Sequence, residues 1–93
     1  MSALATLEAA RTLYSTIADS LGIANALGQA ATAYDALGEP QRAFAALDSA
    51  LRIARSQSLR KEEAEDLKIL ADLYARAGDH QRALDHYRTA AAI

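Results

Sequence analysis

The sequence has no cysteine, so neither a disulfide framework nor a thiolate metal site is open to it, which fits a reducing compartment. It has no excess of positive charge either. Ten Lys and Arg stand against twelve Asp and Glu, the formal net charge is −2 and the pI is about 5.6, so nothing electrostatic draws the chain to nucleic acid or an anionic membrane. The longest apolar runs fall far short of the roughly 20 residues that span a bilayer. The opening residues, MSALATLEAARTLY, put no basic segment before their apolar ones and meet Glu8 early, so they do not read as a signal peptide. A soluble, cytoplasmic protein with no nucleic-acid or membrane partner is expected.

Reactive chemistry is just as sparse. The two histidines, His80 and His86, are six residues apart, which on a helix points them to different sides, and neither has a partner at metal-ligand spacing. They read as surface residues. There is no glycine-rich phosphate loop and no nucleophile beside a base in an identifiable setting. No catalytic residue, cofactor site or metal ligand is assigned, and the chain is not expected to be an enzyme.

What the sequence does have is apolar residues, 52% of the total, much of it alanine. Alanine favours helix and buries little area per residue, so 93 residues should form one domain with a closely spaced helical core. The periodicity predicts about five helices. The first covers about Ala3 to Ile17, with Ser2 as N-cap and Ala3, Leu7, Ala10, Tyr14 and Ile17 on one face. Asp19 or Ser20 can cap the second, which follows Ile23, Leu27, Ala30, Ala31, Tyr34 and Leu37, with Gly22 and Gly28 each costing ~1 kcal/mol. Gly38 stops it, and Glu39 and Pro40 start a third helix that runs to about Arg55. Ser56, Gln57 and Ser58 form a loop. The fourth helix covers about Leu59 to Ala77, and after Gly78 and Asp79 the fifth covers about His80 to Ala91. The short Gly-Glu-Pro link forces its two helices to lie antiparallel.

The chain repeats itself. Residues 31–50 and 71–90 share Ala31/Ala71, Tyr34/Tyr74, Gly38/Gly78, Gln41/Gln81, Arg42/Arg82, Ala43/Ala83 and Ala50/Ala90, forty positions apart. The same shift takes Ala3, Leu7 and Ala10 onto Ala43, Leu47 and Ala50, so the first helix reads as the second half of a repeat. The expected organisation is a half repeat at 3–17 and full repeats at 20–55 and 59–92, a fragment that starts and stops inside an array. A period of this length marks units that bury their apolar faces on their neighbours.

These residues resemble the tetratricopeptide repeat. The middle unit supplies Leu27, Ala30, Ala31, Tyr34, Gly38, Ala43, Leu47 and Ala50, and the last supplies Leu67, Leu70, Ala71, Tyr74, Gly78, Ala83, Tyr87 and Ala90. The resemblance covers nearly the whole chain, although the family period is thirty-four rather than forty and the usual proline at the repeat end is absent. It implies an all-α fold of antiparallel helix-turn-helix repeats stacked as a right-handed α-solenoid. In its long period the chain is similar to repeats in bacterial multidomain signalling proteins, where such arrays are sensory or docking segments. The implied function is a non-catalytic scaffold for a protein or peptide partner; the alternative is an oligomerisation or spacer module that self-associates through its terminal helices.

The resemblance also implies where a partner sits, on the face lined by the first helix of each repeat. Carried over by position, that stripe is Asn25, Gly28, Thr32 and Asp35 on the second helix and Glu65, Lys68, Asp72 and Arg76 on the fourth. The competing reading is a solvated face with intrahelical pairs, since Asp72 and Arg76 stand at i,i+4 in the favourable order. Gly28 and Thr32 occupy positions where some relatives carry residues that clamp a terminal carboxylate, and Asp72 adds negative charge, so that ligand class is disfavoured.

Overall fold

The computed structural model describes residues 3–93, with side chains described from residue 8 onward except at Tyr14. It is all-α, and the described residues form four helices: α1 (Ala3–Ala36), α2 (Pro40–Ser56), α3 (Arg60–Arg76) and α4 (His80–Ala92). Ser2, expected as a cap, lies outside the described residues, as do the side chains of Ala3, Leu7 and Tyr14.

Four helices rather than five is a correction with a local cause. The boundary expected between Ile17 and Ser20 falls inside α1, which runs unbroken for 34 residues. Helices α2, α3 and α4 begin at Pro40, Arg60 and His80, twenty apart, each after a three-residue turn whose middle residue has a positive φ: Gly38 at 74°, Ser58 at 54° and Gly78 at 85°. Twenty residues before Gly38 stands Ala18, the best helix former, whose Cβ makes the left-handed conformation costly. Asp19 and Ser20 could cap a helix, but nothing before them stops one. The hydroxyls of Thr12 and Thr16 donate to the carbonyls of Glu8 and Thr12, at 3.0 and 2.9 Å, and leave the helical ladder intact.

All three turns are the same turn. The amides of Glu39, Leu59 and Asp79 reach back five residues to the carbonyls of Tyr34, Ala54 and Tyr74, at 2.8, 2.8 and 2.9 Å. Those of Gly38, Ser58 and Gly78 bond the carbonyls of Asp35, Arg55 and Ala75, at 3.0, 3.3 and 3.1 Å. This is the Schellman arrangement, which satisfies the last carbonyls of each helix. The loop at Ser56–Ser58 is thus a third copy of the link, built with serine where the others use glycine. At the restarts, Asp79 caps α4 through its side chain, accepting from the Arg82 amide at 3.1 Å, whereas Glu39 makes no such bond and α2 relies on Pro40 in its first turn.

Links this short set consecutive helices antiparallel and adjacent. Helix α2 lies against α1 and α3; α3 lies against α1, α2 and α4; α4 meets only α3 among the described residues. The core holds Ala31, Ala43, Ala46, Leu47, Leu51, Leu67, Leu70, Leu73 and Ala90, with Leu27, Tyr34, Phe44, Ile69 and Tyr74 packed around it. Alanines with no exposure at 31, 43 and 71 are what let the helices come close, because a small residue on one helix receives the ridge of the next. The result is a slab of 58 × 28 × 13 Å. Its radius of gyration of 16.1 Å exceeds the roughly 12 Å of a compact chain this long.

The forty-residue recurrence persists in three dimensions. Arg42 lies over the ring of Tyr34 and Arg82 over that of Tyr74, with 5.9 and 5.7 Å from guanidinium carbon to ring centroid. Each arginine also pairs with the acid three residues before it, Glu39 at 3.8 Å and Asp79 at 3.5 Å. The two units are not copies, however. Phe44 and His86 flank Tyr74 at ring-centroid distances of 4.9 and 5.3 Å, whereas the position forty before His86 is Ala46. His86 is therefore half-buried and stacked on Tyr74, not the surface residue its spacing suggested.

Candidate functional site

The expected partner-binding stripe divides into two groups where α1 and α3 run side by side. Asn25, Thr32 and Glu65 converge on a cavity of about 260 Å³, completed by Ala24, Gly28, Gln29, Asp66 and Ile69. Of the other members, Asp35, Asp72 and Arg76 are committed to structural pairs. Arg76 of α3 donates to the carboxylate of Asp35 on α1, bridging the helices toward their C-terminal ends. Asp72 accepts from the hydroxyl of Tyr87 on α4. That bond raises the Tyr87 pKa above its usual value, as the first cause, followed by partial burial. The i,i+4 pairing of Asp72 with Arg76 thus gives way to two partnerships across helices. Lys68 is exposed on α3.

Gly28 is buried where α1 meets α3, and a Cβ there would come to 3.4 Å of Asp66 Oδ1, an ordinary contact distance, which places that carboxylate oxygen beside the α1 backbone. Thr32 donates its hydroxyl to the Gly28 carbonyl at 3.2 Å, turning its oxygen lone pairs to the open side. The amides of Asn25 and Gln29 and the Glu65 carboxylate form the rim, while Ala24 and Ile69 supply apolar wall.

Asp66 dominates the electrostatics. It is 5% exposed, and its Oδ2 is buried without a hydrogen-bond partner. Burial raises its pKa from 3.8 to about 6, and the charges of Glu65 and then Glu62 add to the shift. At neutral pH the cavity therefore holds a carboxylate that is largely ionised and only partly compensated. Sequence reasoning missed both Asp66 and Gln29. Within the run Glu62-Glu63-Ala64-Glu65-Asp66, nothing distinguishes the one buried acid from its half-buried and exposed neighbours.

Two more concave surfaces exist. One lies between α1 and α2, lined by Leu27, Ala30, Tyr34, Arg42, Ala45, Ala46 and Ser49, with a volume of about 340 Å³. The other, about 240 Å³, lies beside the Asp35 and Arg76 pair, against Leu73 and Ala77. Among the described residues no group of three or more His, Cys, Asp or Glu side chains could hold a metal ion. No helix of the described residues is long and apolar enough to cross a membrane. No protein-family model matches the chain, and neither a curated protein nor a solved structure matches it.

Proposed function

We propose that the chain is a non-catalytic interaction scaffold of tetratricopeptide kind, its helix pairs stacked as a right-handed α-solenoid, which receives a protein or peptide partner where α1 and α3 run together. A docking or sensory segment of a larger bacterial signalling protein is the setting this reading implies. The observation that carries it is the convergence of Asn25, Thr32 and Glu65, from two different helices, on one cavity that the largely buried Asp66 also lines. Polar groups left unsatisfied at such a place favour a ligand that completes them. The arginine that each of Tyr34 and Tyr74 carries over its ring, Arg42 and Arg82 at matching positions, supports the repeat architecture. Selection of peptides from a displayed library, followed by mapping of amide shifts, tests the docking face. Shifts over residues 25–32 and 65–69 support it; selected peptides that perturb only α2 or α4 count against it.

A second reading, self-association, rests on a different observation. Leu67 and Leu70 are 1% and 5% exposed, in the core with Leu47 and Leu51 of α2, yet forty residues earlier Leu27 and Ala30 are only half-buried. The same shift assigns residues 3–17 as the helix that would cover them, and α1 instead carries those residues straight on. A second copy could supply that cover. Sedimentation equilibrium of the wild type and of Leu27→Glu checks it: a dimer lost in the variant supports this reading, and a wild-type monomer at millimolar concentration removes it.

A further inference from the structure

The cavity at Asp66 also has a preferred guest, and its chemistry can be read from the groups that surround it. We infer that it is a receptor for a single arginine side chain of the partner, whose guanidinium pairs with Asp66 and whose stem lies along Ala24 and Ile69. This inference rests on the docking reading of the α1–α3 face and narrows it to one ligand chemistry.

Size argues for a side chain. About 260 Å³ is below the roughly 300–1,000 Å³ of pockets that enclose whole small molecules, and it suits the end of one long residue. Charge argues for a cation. The α3 side presents Asp66, with Glu65 and Glu62 near it, and the α1 side presents only the neutral Asn25, Gln29 and Thr32. Geometry argues against a bare divalent ion, because Glu65 and Asp66 are consecutive on a helix and diverge by about 100°. A guanidinium has five N–H donors in a planar fork, and the cavity offers matching acceptors in the Asp66 carboxylate, the side-chain carbonyls of Asn25 and Gln29, and the Thr32 oxygen. An ammonium carries three donors and is more strongly hydrated, so lysine would leave more of these acceptors empty.

The guest answers the burial of charge that marks the site. Asp66 lines the cavity but is only 5% exposed, and a charge-assisted hydrogen bond to a cation offsets the cost of keeping its carboxylate ionised there. Gly28 forms the floor beside Asp66, where a side chain larger than a methyl group would project toward the carboxylate.

The test is a titration of the ¹⁵N-labelled chain with N-acetyl-arginine methylamide and with its citrulline counterpart, which has nearly the same shape and no charge. The arginine probe should shift the amides of Asn25, Gly28, Glu65 and Asp66 with a Kd on the order of 1 mM, as one side chain warrants. The citrulline probe should bind at least tenfold more weakly, and Asp66→Asn should reduce arginine binding by a similar factor. In the wild type, the arginine probe should also lower the Asp66 carboxyl titration from about 6 toward 3.8, which requires no variant. Equal binding of the two probes would overturn the assignment of a cation while leaving the docking face standing. Shifts from neither probe would overturn the receptor itself, and peptides selected independently that still map to residues 25–32 would show that the docking face survives without it.

Discussion

The guanidinium of Arg82 lies 5.7 Å from the ring centroid of Tyr74, and the ring is held on its other contacts by Phe44 of α2 and His86 of α4. Arg82 starts a helix that Tyr74 helps to end, so the contact closes each turn over its own hairpin, and Arg42 does the same on Tyr34. A cation over an exposed aromatic face contributes about 0.5–1 kcal/mol. Arg82→Ala and Arg42→Ala should each lower urea-unfolding stability by about that amount, and the double variant by the sum, because the sites share no partner.

The turns predict opposite signs for similar changes. Gly78 has φ of 85°, so Gly78→Ala should cost about 1–2 kcal/mol. Ser58 bears the same kind of conformation with a side chain, at φ of 54°, so Ser58→Gly should stabilise the fold, by about 0.5 kcal/mol after the added freedom of the unfolded chain is subtracted. Thermal unfolding of the two variants, side by side, reads both.

Asp66 gives a pH signature. Its folded pKa is raised, so its contribution favours the native state fully below about 3.8 and is lost as pH rises through about 6. The span of about two pKa units corresponds to roughly 3 kcal/mol. Asp66→Asn, which never ionises, should therefore be more stable than the wild type at pH 7.5 by about 1–3 kcal/mol, with the advantage shrinking as pH falls to 4. Denaturant unfolding at several pH values measures it; a difference that does not change with pH would refute the assignment.

The two half-matched leucines separate packing from exposure. Leu67 is enclosed, and Leu67→Ala should cost about 2–5 kcal/mol. Leu27 stands at the equivalent position but is half-buried, and Leu27→Ala should cost well under half as much in the monomer. Equal costs would mean that Leu27 is covered in solution.

Much of this was legible in the residues. Gly38, Pro40 and Gly78 announced their turns because left-handed backbone and a missing N–H leave few other places for them. The turn at Ser58 was harder to see, since serine adopts positive φ only under the pull of packed helices on either side. The run of α1 through Ala18 escaped for the converse reason: Asp19 and Ser20 can begin a helix, but a cap acts only if the preceding turn ends one. At the candidate site, Asn25, Thr32 and Glu65 were placed by repeat position alone. Asp66 could not be, because its burial depends on how α1 packs on α3, and that is a property of the assembled pair.

Helix α2 packs on both α1 and α3, its Leu47 and Leu51 in one core with Ala31, Leu67 and Leu70, so it lies behind the place where those two helices run together. A guest that prises apart or draws in the α1–α3 pair must therefore move α2 on the reverse side as well. Whatever rests there is informed of the guest's arrival by simple leverage, without any hinge or relay of its own.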